Sequence, residues 1–363
     1  MRMKAVSSLV PGELLAQPVF GKSGQILLQK HVELTSSYIR KLENYGHTYV
    51  FIEDPRTEDI EVSDALSQEL QAEVLNKIER TFKKIQKSFE DPTYTRDIRL
   101  GDTFQELFGL LFDHVLKNQV VLTHLTSLYT SDNFLYSHCM NVSLYAGAIA
   151  VGNGYSESRV KELGVGAMLH DIGKLAIDKS ILDKPGRLTD EERTLVEQHC
   201  QIGYDLLIQQ PSIHSLSAHC ALQHHERMNG KGYPRRLKGM EIHEFGRIMA
   251  VADVYDALTS NRVYRKAFLP HEAVEMLYAG SGVDFDPEFI RLFVKHVNVY
   301  PPGVPVVLNG IFEGVVVRNN PQNLLRPVVR ILRESGRVVE PYDIDLSVCL
   351  HMVISNVIQS TVS

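Results

Sequence analysis

The spacing of apolar positions changes along this chain, and the changes divide it. In residues 1–55, short apolar runs alternate with turn formers. Pro18-Val19-Phe20 and Gln25-Ile26-Leu27-Leu28 flank Gly21-Lys22-Ser23-Gly24, which predicts a hairpin. Residues 36–45 predict a short helix with Tyr38, Ile39 and Leu42 inward; Gly46 ends it, and residues 47–52 return as a strand. These elements make a small α+β module without chemistry of its own. An acidic linker over residues 55–61 follows. The period then becomes helical: Val62, Leu66, Leu70, Val74, Ile78, Phe82, Ile85 and Phe89 recur every three or four residues until Pro92 stops the helix. Such a stripe packs on its own chain in the simplest reading. It is also long enough for a two-helix seam, so residues 62–129 read as a helical linker and a candidate homodimer region.

Residues 130–300 are mostly helical in pattern. Thr189-Asp190-Glu191-Glu192 has the form of a capping box, and Leu195, Val196, His199, Ile202 and Leu206 are expected on one face of the helix it starts. Residues 247–258 form another helix, apolar except for Asp253 and Asp256. Pro301-Pro302-Gly303 breaks the helical pattern. Beyond it, β-branched runs split by Asn and Gly predict a small antiparallel sheet or barrel over residues 301–363.

Length and composition limit the functions on offer. The chain has 363 residues, enough for two or three domains, and 44% hydrophobic with 23% charged residues fits a soluble globular protein. A net charge of −6 argues against a long nucleic-acid partner, and the five arginines of the C-terminal part are matched by five acidic residues. Cys139, Cys200, Cys220 and Cys349 contain no CxxC pair and suit a reducing compartment. No signal peptide and no apolar run long enough for a bilayer is seen, so a cytoplasmic location without membrane insertion is expected.

The chemistry lies in titratable residues on apolar helix faces. His138 sits among Phe134, Leu135, Val142 and Tyr145; His170 and Asp171 end the run Val165-Gly166-Ala167-Met168-Leu169; His199 has Leu195, Val196 and Ile202 around it. His224, His225 and Glu226 follow Ala221-Leu222-Gln223, and Asp253 lies inside Ile248-Met249-Ala250-Val251-Ala252. A single such histidine is more often a satisfied core residue than a ligand. Burying a lone carboxylate or imidazolium is costly, and here several fall in one helical region, where a cluster of divalent ions would compensate them together. Mixed imidazole and carboxylate donors suit iron, manganese, nickel, cobalt or zinc. His219, His243, His271 and His296 have no such company and read as surface or packing residues.

The motifs are specific at this point. His170-Asp171-Ile172-Gly173-Lys174 resembles the motif that names the HD phosphohydrolase superfamily. His224-His225-Glu226-Arg227-Met228-Asn229-Gly230-Lys231-Gly232-Tyr233-Pro234 resembles the HHExxDGxGYP signature of the HD-GYP family. Residues 181–189, 251–260 and 262–265 resemble the blocks between and after them, so the resemblance covers about residues 130–300 in the right order. It implies a mainly α fold, an HD-type helical bundle, flanked here by the small N-terminal α+β module and the small C-terminal β module.

The resemblance also implies an activity: hydrolysis of cyclic di-GMP to linear pGpG and onward to GMP, by a hydroxide shared between divalent transition-metal ions, most often iron or manganese. By position, His138, His170, Asp171, His199, His224, His225 and Asp253 match the metal ligands, with Asp171 bridging. Lys174 matches a catalytic residue that meets a substrate phosphate. Asp256, Arg262 and Arg265 match substrate-binding positions, and Gly232, Tyr233 and Pro234 match the loop that shapes the substrate pocket. Three departures stand out. Asn229 replaces the signature's Asp, Met228 replaces an aromatic, and Phe134 stands where members with a third metal carry a Glu. Two ions are therefore expected. The competing readings are a catalytically weak cyclic-dinucleotide sensor that signals through a partner protein, and a phosphohydrolase acting on another cyclic dinucleotide.

Overall fold

The computed structural model describes residues 1–21, 25–45, 47, 49–62, 66–90, 99–116, 134–260, 268 and 270–357. The N-terminal module has two small antiparallel pairs and one helix. β1 (Arg2–Ala5) pairs with β4 (Tyr49–Ile52), and β2 (Val19–Phe20) with β3 (Ile26–Leu28), the predicted hairpin. α1 (Ser36–Asn44) starts where the Thr35 hydroxyl accepts from the Tyr38 amide, and turns Leu42 inward. Val6, Leu9, Leu15, Val19, Leu34, Leu42, Val50 and Ile52 form a core separate from that of the bundle.

The predicted long helix is shorter at its start. α2 spans Gln68–Glu90, so Val62 and Leu66 precede it. Val62 instead packs with Ile60, Val315 and Leu332 against the C-terminal sheet, and the Arg330 guanidinium ties that junction to Asp59, Asp343 and the Arg56 carbonyl. Val74, Ile78, Phe82 and Ile85 are buried as their period requires, while Phe89 at the far end is exposed. The buried stripe lies on this chain's own bundle. Phe82 meets Phe104 of α3 (Leu100–Leu111) and the ring of Tyr136, and α2 runs against residues 172–176. Phe82→Ala should therefore cost about 3–5 kcal/mol, the range for truncating a buried aromatic. A lowered urea midpoint with unchanged sedimentation is the expected result; a change of oligomeric state would place the seam between two chains.

The bundle is built from α4 (Phe134–Gly152), α5 (Glu157–Leu169), α6 (Lys179–Leu182), α7 (Asp190–Glu197), α8 (His199–Ile208), α9 (Ser215–Gln223), α10 (Glu244–Thr259), α11 (Pro270–Ala279) and α12 (Pro287–His296). Local signals set the boundaries. Ser156 caps α5, Thr189 and Glu192 form the expected capping box on α7, and Asp286 followed by Pro287 starts α12. The continuous helix expected through His199 is in fact two, α7 and α8, with Leu195 exposed. The stripe drawn through the break mixed two helices, and Leu195 on the first does not join the buried side of the second. α4 and α10 are apolar nearly all round and are buried at the centre, as such helices must be.

The C-terminal part is a five-stranded antiparallel sheet in the order β8-β7-β6-β5-β9, with β5 Pro305–Leu308, β6 Phe312–Arg318, β7 Val328–Glu334, β8 Arg337–Asp345 and β9 Ile354–Val357. Val306, Leu308, Val316, Val329 and Ile331 join the same apolar core as the bundle. Among the described residues, no helix is long and apolar enough to cross a membrane.

Candidate metal centre

Helix ends and helix faces bring the predicted donors together. His170 ends α5 and Asp171 follows it; His199 opens α8; His224 ends α9 and His225 follows; His138 and Asp253 project from α4 and α10. Gly173 allows the close approach that places the first of these against the second. A Cβ there would stand 2.0 Å from the His199 carbonyl oxygen, so no other residue fits between residues 172–176 and α8.

Asp171 is the centre of the arrangement. Its Oδ2 lies 3.6 Å from His138 Nε2 and 3.4 Å from His170 Nε2, while its Oδ1 lies 3.4 Å from His199 Nε2 and 3.6 Å from His224 Nε2. Asp253 closes the far side: Oδ1 is 3.2 Å from His138 Nε2 and 3.9 Å from His170 Nε2, and Oδ2 is 3.8 Å from His225 Nδ1. Two donors each about 2.0–2.1 Å from one ion stand about 3 Å apart at a right angle and about 3.4 Å apart in a tetrahedron. The observed separations fall at or slightly above that range. The donors divide into His138, His170 and Asp171 on one side, and Asp171, His199, His224 and His225 on the other.

The imidazole tautomers follow from the outer hydrogen bonds. His170 Nδ1 donates to the Ala167 carbonyl at 2.8 Å, His199 Nδ1 to Val196 at 2.6 Å, and His224 Nδ1 to Cys220 at 3.0 Å. A carbonyl only accepts, so each Nδ1 carries the hydrogen and each Nε2 turns a lone pair inward. Burial pushes His170 down to about 4 and His199 down to about 3, and holds His225 well below its ordinary value. Burial opposes charge on Asp171, yet Lys174 and the surrounding histidines hold its carboxyl well below the usual range. Burial also opposes a proton on His138, but hydrogen bonds to Asp253 and Asp256 outweigh it and raise His138 to about 9. Neutral His170, His199 and His225 facing ionised carboxylates are the donor states a divalent cation needs, whereas His138 would have to release a proton to bind one.

The residues fit such ions. Asp171 Oδ1 and His170 Nε2 are fully buried without a hydrogen-bond partner, an arrangement that is costly unless something else engages them. His199 Nε2 and His224 Nε2, both acceptors in these tautomers, face each other at 3.2 Å. A cation between them resolves that contact.

The model of the HD domain matches residues 120–289. The chain is 38% identical over 241 residues to the cyclic di-GMP phosphodiesterase PA4108 of Pseudomonas aeruginosa, covering 65% of this chain and 58% of that protein. It is 45% identical over 155 residues to the cyclic di-GMP phosphodiesterase response regulator RpfG of Xanthomonas campestris, covering 42% and 41%. It is 32% identical over 259 residues to the 3'3'-cGAMP-specific phosphodiesterase 2 of Vibrio cholerae, covering 71% and 47%. Residues 120–289 of the chain thus match the HD domain family, and the motifs they carry resemble those of its HD-GYP branch. It spans about half the length of the curated relatives it matches.

The HD-GYP signature loop is held from inside. Glu226 is buried, and its two carboxylate oxygens accept from the backbone amides of Arg235 and Leu237 at 2.7 and 3.0 Å. Sequence reasoning noted Glu226 but gave it no role. The acceptor role needs the loop to fold back over the carboxylate, which no local pattern encodes. The Tyr233–Pro234 peptide is cis, and the Tyr233 ring lies over His225 with centroids 4.6 Å apart. Gly232 is required because a Cβ would meet the His225 oxygen and the backbone of Glu226 and Arg227 at 2.5 Å.

Asn229 keeps the turn expected of it. Its Oδ1 accepts from the Lys231 amide at 2.8 Å, and its Nδ2 donates to Asp284 Oδ1 at 2.8 Å. The signature's carboxylate would face Asp284 here. Asn229→Asp should therefore destabilise the protein by about 1–3 kcal/mol through a lost hydrogen bond and a like-charge contact. Thermal unfolding of Asn229→Asp, Asp284→Asn and the double variant tests this, with recovery expected in the double variant.

Lys174 Nζ lies 2.5 Å from Asp171 Oδ2 and is partly exposed, at the edge of the centre. Asp256 was read as a substrate-binding position; the structure places it behind His138, buried. Arg262 and Arg265, and the side chain of Phe134, lie outside the described residues.

Proposed function

We propose that this chain is a metal-dependent phosphodiesterase that hydrolyses cyclic di-GMP to linear pGpG, with GMP as a further product. The observation that carries the reading is Asp171: each of its two oxygens faces its own pair of inward-turned imidazoles, so one buried carboxylate serves two ion positions. His138, His170 and Asp253 complete one position; His199, His224 and His225 complete the other. The ions, iron or manganese on this donor set, supply an activated water and neutralise phosphoryl oxygens when bound.

This chain's own residues do the rest. Asp171 and Asp253 keep their charge in a buried site because cationic and imidazole neighbours surround them. Lys174 places its ammonium at the rim of the centre, where a phosphate oxygen of the substrate would draw it from Asp171 and be stabilised as charge grows there. Tyr233 covers His225 and shapes one wall of the substrate pocket. Arg262 and Arg265 are assigned to the remaining phosphate by their match to the family blocks. The relatives named for cyclic di-GMP support this substrate. A second reading, a different 3′,3′ cyclic dinucleotide, is favoured by the relatives named for 3'3'-cGAMP.

Protein purified under reducing conditions should carry close to two ions per chain by metal analysis; three well-occupied ions would contradict the assignment. Incubation with manganese and either cyclic di-GMP or 3′,3′-cyclic GMP-AMP, followed by chromatography, should release pGpG from the first. Preferential turnover of the second would shift the substrate. Tight binding of cyclic di-GMP without turnover would make the chain a sensor.

A further inference from the structure

Asp253 and Asp256 stand three residues apart on α10, so both face α4. They bracket a single imidazole. Asp253 Oδ1 lies 3.2 Å from His138 Nε2, and Asp256 Oδ2 accepts from His138 Nδ1 at 2.8 Å. The other Asp256 oxygen accepts from Asn141 Nδ2 at 2.8 Å, on the same helix as His138, and the Ser260 hydroxyl approaches Oδ2 at 3.4 Å. His138, Asn141 and Asp256 are each at most 3% exposed. Both Asp256 oxygens are thus engaged on the side of His138 away from the reacting centre.

We infer that Asp256 is a positioning residue for His138, setting the affinity of one ion position, and not a substrate contact. The inference rests on the two-ion reading above. His170, His199 and His224 donate Nδ1–H to neutral backbone carbonyls, whereas His138 donates to a carboxylate. A carboxylate behind an imidazole fixes its tautomer, holds its ring plane and makes its inner nitrogen a stronger donor. Asn141 holds the carboxylate in turn. The consequence is asymmetric. Losing the Asp256 charge weakens the position formed by His138, His170 and Asp253, and leaves the position formed by His199, His224 and His225 intact.

The test uses the full chain, wild type, Asp256→Asn and Asn141→Ala, each titrated with manganese after chelation and gel filtration. Loss of an outer partner of a metal-bound histidine weakens binding about 10–100-fold. Asp256→Asn should bind one ion as the wild type does and the other about 10–100-fold more weakly, and excess manganese should restore kcat with KM for cyclic di-GMP within about twofold of wild type. Asn141→Ala should weaken the same single ion by less. It serves as the deciding variant if Asp256→Asn does not fold. Asp256→Asn with wild-type manganese binding and a KM raised tenfold or more would overturn the inference and return Asp256 to the substrate. So would Asn141→Ala with unaltered metal binding when Asp256→Asn cannot be obtained folded. Failure of the two-ion reading looks different: the wild-type chain itself binds no manganese or hydrolyses nothing.

Discussion

Asp171→Ala should strip metal and activity together. Asp171 faces both halves of the donor set, with Oδ1 and Oδ2 each 3.4–3.6 Å from two imidazole nitrogens, whereas Asp253 reaches the second half only at His225, 3.8 Å away. On the two-ion proposal, alanine would remove a ligand from both positions and take away negative charge that would offset the ions. Structural metal affinities on such donors are worth many kcal/mol, so losing a shared anionic ligand should drop metal content toward zero at micromolar metal. Turnover should fall by at least about three orders of magnitude, since activation of water and neutralisation of phosphate are lost at once. Metal analysis of the purified variant beside its turnover is the measurement. A variant that keeps both ions and full turnover would show that the centre has been misassigned. The fold itself should survive: the variant removes a buried charge together with its need for compensation, and the apolar core around α4 and α10 is untouched.

Lys174→Ala should separate the two losses. Lys174 is not placed among the donors; it is an ammonium at their edge, 2.5 Å from Asp171 Oδ2. Ions held by Asp171 would give its carboxylate other partners and let the Lys174 ammonium turn to the substrate. Metal content should stay near the wild-type value while kcat/KM for cyclic di-GMP falls about 10²–10³-fold, the loss typical of removing one charged stabiliser of a developing oxyanion. Arginine at 174 should recover part of this, because the charge is kept although the compact ammonium is not. Equal loss of metal and activity would instead make Lys174 part of the metal centre's support.

How much of this could be read from the chain differs by element. The hairpin of β2 and β3, the start of α7 and the buried stripe of α2 were legible, because turn residues, caps and a 3.6-residue period act over a few positions. Where the pattern misled, the error was also local. Val62 and Leu66 continue the α2 period by spacing but precede the helix, and Leu195 continues the His199 stripe across a break at Gln198.

The candidate ligands were legible for a different reason. A histidine or carboxylate on an apolar face signals a burial cost that something must offset, and the order of the motif blocks resembled one family's solution. What the chain alone could not determine is which face meets which. Asp256 matched a substrate position by its place in a motif, and only the crossing of α4 and α10 puts it behind His138. Glu226 was a letter in a signature until the loop after Pro234 folded its amides over the carboxylate. Asn229 looked like a lost charge until Asp284, far along the chain, stood opposite it. The sequence by itself determined most of the elements, the candidate donors and the burial cost they carry, because those depend on neighbours within a turn or two. The tertiary structure alone decided the partners, because a hydrogen bond between distant segments depends on how whole helices cross, and no local period encodes that.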